Sequence, residues 1–164
     1  KINRRQVEQL ITNDYIGSGH NILILGATGC GKSFFGNALG INACEAGYRV
    51  IFTRMVELLN SLSVARAKRN ISKLLKKFYR INLLIIVDFL LTDTTSAEQK
   101  DLMEIFEYRG RGKSTILCSQ CAPEEWHTKL GSGYVADAIL DRVTNNAYSI
   151  ILEGDSQRKK NTNL

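Results

Sequence analysis

The stretch Gly26-Ala-Thr-Gly-Cys-Gly-Lys-Ser33 matches the pattern G-x-x-x-x-G-K-[ST] in full. An apolar run typical of a buried strand, Asn21–Leu25, precedes it, and a helical pattern, Lys32–Glu45, follows it. Glycine lets the backbone turn its N–H groups inward around phosphate oxygens, and the start of the helix points its positive end at the same anion. The stretch therefore predicts a phosphate-binding loop for a nucleoside triphosphate.

Two side chains of this loop have predicted roles of their own. Lys32 is placed to reach the β- and γ-phosphates, and the Ser33 hydroxyl is placed to ligate Mg²⁺. The alternative is a glycine-rich turn that binds nothing, which the complete motif and its strand–loop–helix context disfavour. We expect ATP with Mg²⁺ as the ligand. The predicted nucleotide-binding residues are Gly26, Ala27, Thr28, Gly29, Cys30, Gly31, Lys32, Ser33 and Phe34.

A carboxylate follows the most apolar run of the chain. Leu83–Val87 is typical of a central strand, and Asp88 comes directly after it. Alone, Asp88 would be interpreted as an ordinary solvated acid at a strand end. Beside a phosphate loop, it is predicted to serve Mg²⁺ and the attacking water, so Asp88 joins Ser33 as a metal ligand and Lys32 as a catalytic residue.

The rest of the chain alternates strand and helix patterns. Its 164 residues fit a single domain spanning 1–164, and 44% hydrophobic residues suffice for one core. Such alternation predicts an α/β fold with a parallel five-stranded sheet sandwiched by helices. The further predicted strands are 49–53, 114–118 and 147–152, and the further helices are 96–108, 123–126 and 135–143.

Charge and cysteine content narrow the class of protein. The net charge of +6 permits an anionic partner such as DNA. No apolar run approaches the ~18 residues of a membrane span and no signal peptide is visible, so we expect a cytoplasmic protein without a membrane partner.

Cys118 and Cys121 form a C-x-x-C pair without the second pair that zinc needs, which predicts reduced thiols in the core. The chain begins at Lys1 rather than Met, so we expect a preceding N-terminal segment.

No acid occurs between Leu58 and Val87, whereas cations are frequent there. At ~100° per residue, a helix would place six cations on one face and apolar residues on another. Such a row suits a phosphate backbone, although a solvated helix face is the alternative. The candidate DNA contacts are Arg66, Arg69, Lys73, Lys76, Lys77 and Arg80, and the apolar face comprises Ala67, Ile71, Leu74, Leu75 and Phe78.

Taken in order, several segments resemble the IstB/DnaC-like branch of the AAA+ ATPases, and most closely the IstB-type transposase helper proteins. They are NILILGATGCGKS, ALGINACEAGYRVIF, LLIIVDFLL, STILCSQ, ADAILDRV and GDSQRKK, and the likeness runs from about Gln9 to Lys160. The resemblance implies a P-loop NTPase with an AAA+ core and little or no separate lid domain. It also implies ATPase activity, homo-oligomers on duplex DNA, and a transposase or replicative helicase as partner.

The resemblance also implies roles for four further residues. Ser119 and Gln120 fall where the family has its sensor-1 residue, which is usually Asn. Arg142 falls where an arginine finger reaches the γ-phosphate of a neighbouring subunit, and Arg158 falls at the sensor-2 arginine. Without the resemblance, both arginines would be interpreted as solvated surface charges.

One departure from the family pattern concerns hydrolysis. The family carries two adjacent acids after the central strand, the first associated with Mg²⁺ and the second with the attacking water. Here the first position is Val87 and only Asp88 remains, so the hypothesis is that nucleotide binding survives while hydrolysis is weak. Three alternatives stay open: a P-loop small-molecule kinase, a non-hydrolysing ATP-gated DNA-binding module and, within the family, a DnaC-like helicase loader. A GTPase is disfavoured because no N-K-x-D motif is present.

Overall fold

The sheet of this computed structural model, which describes residues 3–110 and 112–153, has five parallel strands. The strand order β2-β3-β4-β1-β5 places the most apolar strands in the centre and confirms the predicted parallel sheet. β3 and β4 are buried along their whole length. The strands are β1 (Asn21–Leu25), β2 (Val50–Arg54), β3 (Leu83–Val87), β4 (Ser114–Ser119) and β5 (Ala147–Ile151).

Helices cover both faces of the sheet, because each parallel neighbour must be reached by a crossover connection. One apolar cluster joins one sheet face to α3, and the other cluster lies between the opposite face and the helices from α4 to α8. The helices are α1 (Arg4–Ile11), α2 (Asp14–Gly17), α3 (Lys32–Glu45), α4 (Met55–Ala67), α5 (Ile71–Arg80), α6 (Ser96–Arg109), α7 (Pro123–Lys129) and α8 (Tyr134–Thr144).

Helix α3 approaches the sheet closely through two glycines. A Cβ added at Gly40 would lie 2.7 Å from Ile85 Cδ1, and one added at Gly36 would lie 3.0 Å from Cys118 Sγ. The helix therefore sits lower on the sheet than a larger residue would allow. This contact fixes the helix that leaves the phosphate loop directly above β3 and β4.

The basic segment is not one helix, and this corrects the prediction of a single six-cation face. The chain turns between α4 and α5, where Arg69 has a left-handed φ of 58°. Each helix docks through its own apolar residues, Leu58 and Leu62 on α4 and Phe78 on α5. Ala67, placed by the prediction on the apolar face, is exposed.

Four of the six cations stay together on α5. Arg66 lies on α4, and its guanidinium is paired with Asp101 of α6. The four on α5 are all exposed, and they lie within about 100° of arc on the helix: Lys73, Lys76, Lys77 and Arg80. In the described residues, no helix is long and apolar enough to cross a bilayer.

Candidate nucleotide-binding site

The predicted phosphate loop lies at the carboxyl end of β1 and forms the floor of a cavity of about 950 Å³. Gly29 and Gly31 have φ values of 83° and 92°, a left-handed backbone that favours glycine. At Gly26, an added Cβ would lie 2.6 Å from the Leu152 carbonyl oxygen. The loop therefore needs glycine at these positions to curve, as the motif predicts.

Helix α3 starts at Lys32 and presents its amino end to this cavity. Its first turn contains no acidic side chain, so the positive end of the helix is available to an anion. The Lys32 ammonium donates a hydrogen bond to the Ala27 carbonyl oxygen at 2.9 Å. Ser33 is exposed at the cavity and Phe34 is 81% exposed at its rim. These groups can hold a polyphosphate by its oxygens.

Asp88 and Val87 lie beside the loop but point to different environments. Val87 ends β3 and is 4% exposed in the apolar cluster that includes Leu39 and Cys118. Asp88 has a left-handed φ of 54° and lines the cavity, and its Oδ2 lies 3.3 Å from Nε of Arg54. Only the second position of the family's acid pair therefore brings a carboxylate to the site.

The two predicted sensor-1 residues lie in different environments. Gln120 lines the cavity, and its side-chain oxygen accepts a hydrogen bond from the Thr28 hydroxyl. Ser119 is fully buried, and its hydroxyl donates to the Phe89 carbonyl oxygen at 2.7 Å. The same hydroxyl accepts from the Cys121 N–H and from the indole of Trp126. Ser119 therefore supports the segment that carries Asp88, whereas Gln120 faces the ligand space.

Arg142 does not reach this cavity. Its guanidinium lies 4.0 Å from Glu107 on α6, and its carbonyl oxygen accepts a hydrogen bond from Asn21 at 3.3 Å. Asn21 starts β1, so this contact lies at the end of the sheet opposite the phosphate loop. The other predicted arginine, Arg158, lies outside the described residues.

Sequence relatives agree on one class of protein. The model of the "IstB-like ATP binding protein" family matches residues 1–164. This chain belongs to the IstB-like ATP-binding family. A putative insertion sequence ATP-binding protein, y4uH of Sinorhizobium fredii (strain NBRC 101917 / NGR234), is 37% identical over 156 residues, which are 95% of this chain and 63% of the relative. The insertion sequence IS5376 putative ATP-binding protein of Geobacillus stearothermophilus is 30% identical over 165 residues, 99% of this chain and 65% of that protein.

Solved structures share the fold of this IstB-like chain. The DnaC helicase loader superposes with a TM-score of 0.76 at 16% identity, covering 91% of this chain and 87% of the loader. The replication initiator DnaA bound to AMPPCP and single-stranded DNA superposes with a TM-score of 0.77 at 23% identity, covering 94% of this chain and 47% of DnaA. The predicted α/β fold with a parallel five-stranded sheet is thus confirmed. The chain spans about two thirds of the curated relatives' length or slightly less.

One site residue of the IstB-like chain was not predicted from the sequence. Arg54 pairs with Asp88. Arg54 is the last residue of β2, and the carboxyl ends of parallel strands meet at one edge of a sheet. A search for polar residues at every strand end would therefore have found Arg54.

A buried thiol lies beneath the loop of the IstB-like chain. Cys118 Sγ is 3.7 Å from the Lys32 carbonyl oxygen, and burial raises the pKa of this thiol to about 12. The group is therefore neutral at physiological pH and packs as an apolar side chain. Cys121 is buried as well, which agrees with the predicted core position of both thiols.

Proposed function

We propose that this chain binds ATP with Mg²⁺, assembles on DNA and regulates a transposase, with ATP hydrolysis weakened by Val87. The observation that carries the proposal is the pairing of a complete phosphate loop with a single carboxylate from the family's acid pair. Val87 contributes methyl groups to the cluster beneath α3, so only Asp88 of these two residues lines the cavity, where Glu153 is a further carboxylate. Binding and hydrolysis are therefore expected to be separable.

The residues at the cavity fit a magnesium nucleotide. The Ser33 hydroxyl and the Asp88 carboxylate are hard oxygen donors of the kind that Mg²⁺ prefers, and both line the cavity. A Cβ at Gly26 would collide with the Leu152 carbonyl oxygen, so this position needs glycine. With glycine here, the backbone of the loop can curve around phosphate oxygens. When bound, Mg²⁺ neutralises charge on the β- and γ-phosphates. Lys32 supplies a further cation from the protein.

Weak hydrolysis is expected because Asp88 must serve both Mg²⁺ and the attacking water. The carboxylate that could accept a proton from the attacking water is also the one that could ligate Mg²⁺, and Val87 can do neither. Asp88 is in addition paired with Arg54, so the same carboxylate already has a partner within the protein. Arg142 lies at the opposite end of the sheet, so we propose that it serves the nucleotide of a neighbouring copy in an oligomer.

The four cations of α5 support DNA as a partner. Lys73, Lys76, Lys77 and Arg80 form a row without an acid on the helix, and a row of one sign suits a phosphate backbone better than a general solvated face. Duplex DNA is the proposed form. The names of the relatives, which are proteins of insertion sequences, support a transposase as the protein partner. The likeness in fold to the DnaC loader keeps a replicative helicase as the second candidate.

Replacing Val87 by Asp tests the proposed weakness in hydrolysis. We expect the Val87→Asp variant to release γ-phosphate at least about tenfold faster than the wild type, because a second carboxylate relieves Asp88 of one role. ATP affinity should stay within about threefold, since the loop is unchanged. The measurement is phosphate release with and without long duplex DNA, beside ATP binding.

The Val87→Asn variant is the matched control, because it has nearly the shape of Asp but no charge, and it should stay at the wild-type rate. Equal turnover by the wild type and a folded Val87→Asp variant would contradict the proposed weakness. If the Val87→Asp variant fails to fold, the wild type is tested instead. Fast phosphate release by the wild type, abolished by Asp88→Asn, would also contradict the proposed weakness in hydrolysis. Phosphoryl transfer to a small acceptor would instead indicate a kinase, and ATP-dependent DNA binding without release would indicate a gated binding module.

A further inference from the structure

A second groove lies beside the nucleotide cavity, between α4 and the segment that follows β3. Its volume is about 720 Å³, and it shares Asp88 and Leu91 with the cavity. Val56 of α4 is 61% exposed and Leu91 is 46% exposed, so the groove presents large apolar side chains to solvent. Single exposed apolar residues are ordinary, whereas several that line one groove indicate a contact surface.

The groove is acidic although the chain as a whole carries a net charge of +6. Two guanidinium groups line it, and each already has a carboxylate partner within the groove. Arg54 pairs with Asp88, and Arg66 pairs with Asp101. Two further carboxylates, Asp93 and Glu98, line the same groove. A cationic ligand is therefore favoured here over an anionic one.

We propose that this groove, defined by Val56, Leu91 and its four carboxylates, binds a segment of a protein partner in which apolar residues alternate with Lys or Arg. The apolar side chains would pack on Val56 and Leu91, and the cations would face Asp93 and Glu98. A nucleic acid is disfavoured because the carboxylates would repel its phosphates. The inference rests on the proposed function only in that the partner it regulates would supply the segment.

The shared residues connect this groove to the nucleotide. Asp88 lines both spaces, and its pairing with Arg54 at 3.3 Å is partly exposed. A partner cation in the groove competes with Arg54 for this carboxylate, so binding of the segment changes the charge environment of the nucleotide. By thermodynamic linkage, bound nucleotide must change the affinity for the segment by the same factor.

A labelled peptide of alternating leucine and lysine is the probe, and a peptide of alternating leucine and glutamate is its control. We expect the wild type to bind the basic peptide at least about tenfold more tightly than the acidic one. Val56→Lys, which adds a cation and removes an apolar contact, should weaken the basic peptide about tenfold. Val64→Lys is the matched control on the same helix, where Val64 is 43% exposed outside the groove lining, and it should change affinity less than about twofold.

AMPPCP with Mg²⁺ should shift the peptide affinity of the wild type, and Asp88→Asn should remove that shift while the peptide still binds. Equal effects of Val56→Lys and Val64→Lys, or equal binding of both peptides, would overturn the proposal. So would a Val56→Lys variant that alters only self-association, which would assign the groove to a second copy of the chain. Nucleotide binding and phosphate release by the same samples report separately on the proposed function.

Discussion

At the scale of single residues, the site depends on two neighbours that lie in different environments. The side chain of Val87 follows the alternation of side chains between the two faces of β3 and packs beneath α3. Asp88 comes after the strand, has a left-handed φ and lines the cavity. Valine fills this buried position with methyl groups, whereas a carboxylate there would need a hydrogen-bond or metal partner. Chemistry and packing are therefore linked at this point of the fold.

Cys30 offers a residue-scale test of where the nucleotide binds. This thiol lies in the loop that lines the cavity, whereas Cys44 is exposed near the far end of α3. We expect saturating ATP with Mg²⁺ to slow alkylation of Cys30 at least about fivefold, because the phosphates would cover the loop. Site-resolved mass spectrometry measures both rates in one sample.

Cys44 is the internal control and should react at the same rate with or without ATP. Cys118, with a pKa raised to about 12, should stay unlabelled in the native protein. Equal protection of Cys30 and Cys44 would indicate a general change in the protein rather than a ligand on the loop.

At the scale of elements, α5 is anchored by one arginine from α6. Arg109 is 1% exposed and donates to the carbonyl oxygens of Phe78, Ile81 and Ser114 and to the Thr115 hydroxyl. Burial lowers the pKa of this guanidinium to about 9. The arginine therefore joins the end of α5, the start of β4 and the end of α6, and it holds the cation-bearing helix in place.

Removing this anchor should be costly. Arg109→Ala leaves three carbonyl oxygens at the end of α5 and the start of β4 without their donor, so we expect the free energy of unfolding to fall by roughly 3 kcal/mol. Lys77→Ala, an exposed change on α5, should cost less than about 0.5 kcal/mol and is the control. Urea denaturation followed by circular dichroism measures both, and similar midpoints for the two variants would contradict the anchoring role.

At the scale of the whole molecule, the proposed functions occupy different surfaces. The phosphate loop, Asp88, Arg54 and Gln120 meet at the carboxyl edge of the sheet, whereas Arg142 lies at the opposite edge. Residues that lie on opposite edges of one chain can meet only between chains. A head-to-tail assembly would bring them together and would propagate as a ring or a filament.

Reversing the cations of α5 tests the DNA-binding surface. We expect Lys73→Glu, Lys76→Glu and Lys77→Glu together to reduce duplex affinity at least about tenfold and to lower the salt dependence of binding, because fewer phosphates are neutralised. Fluorescence anisotropy over a series of salt concentrations measures both. The control reverses Arg4, Arg5 and Arg49, which are exposed outside α5 and change the net charge equally. Equal loss in both triple variants would indicate a general charge effect rather than contacts at α5.

The amino-acid sequence was sufficient to predict the phosphate loop, the positions of the strands along the chain and the family. These features depend on neighbours in the chain: glycine spacing, apolar runs and the helix that follows the loop. The strand predictions were correct to within a residue or so for the same reason, as β1 (Asn21–Leu25) and β3 (Leu83–Val87) illustrate.

Which distant residues act together became clear from the packing of the folded chain. It divided the basic segment at Arg69, removed Arg66 from the cation row by pairing it with Asp101, and joined Arg54 to Asp88. Arg54 ends β2 and Asp88 follows β3, two adjacent strands that are remote in sequence, and periodicity carries no information about such contacts. The phosphate loop can therefore be recognised from consecutive residues, whereas its partners at the edge of the sheet depend on how whole strands and helices pack.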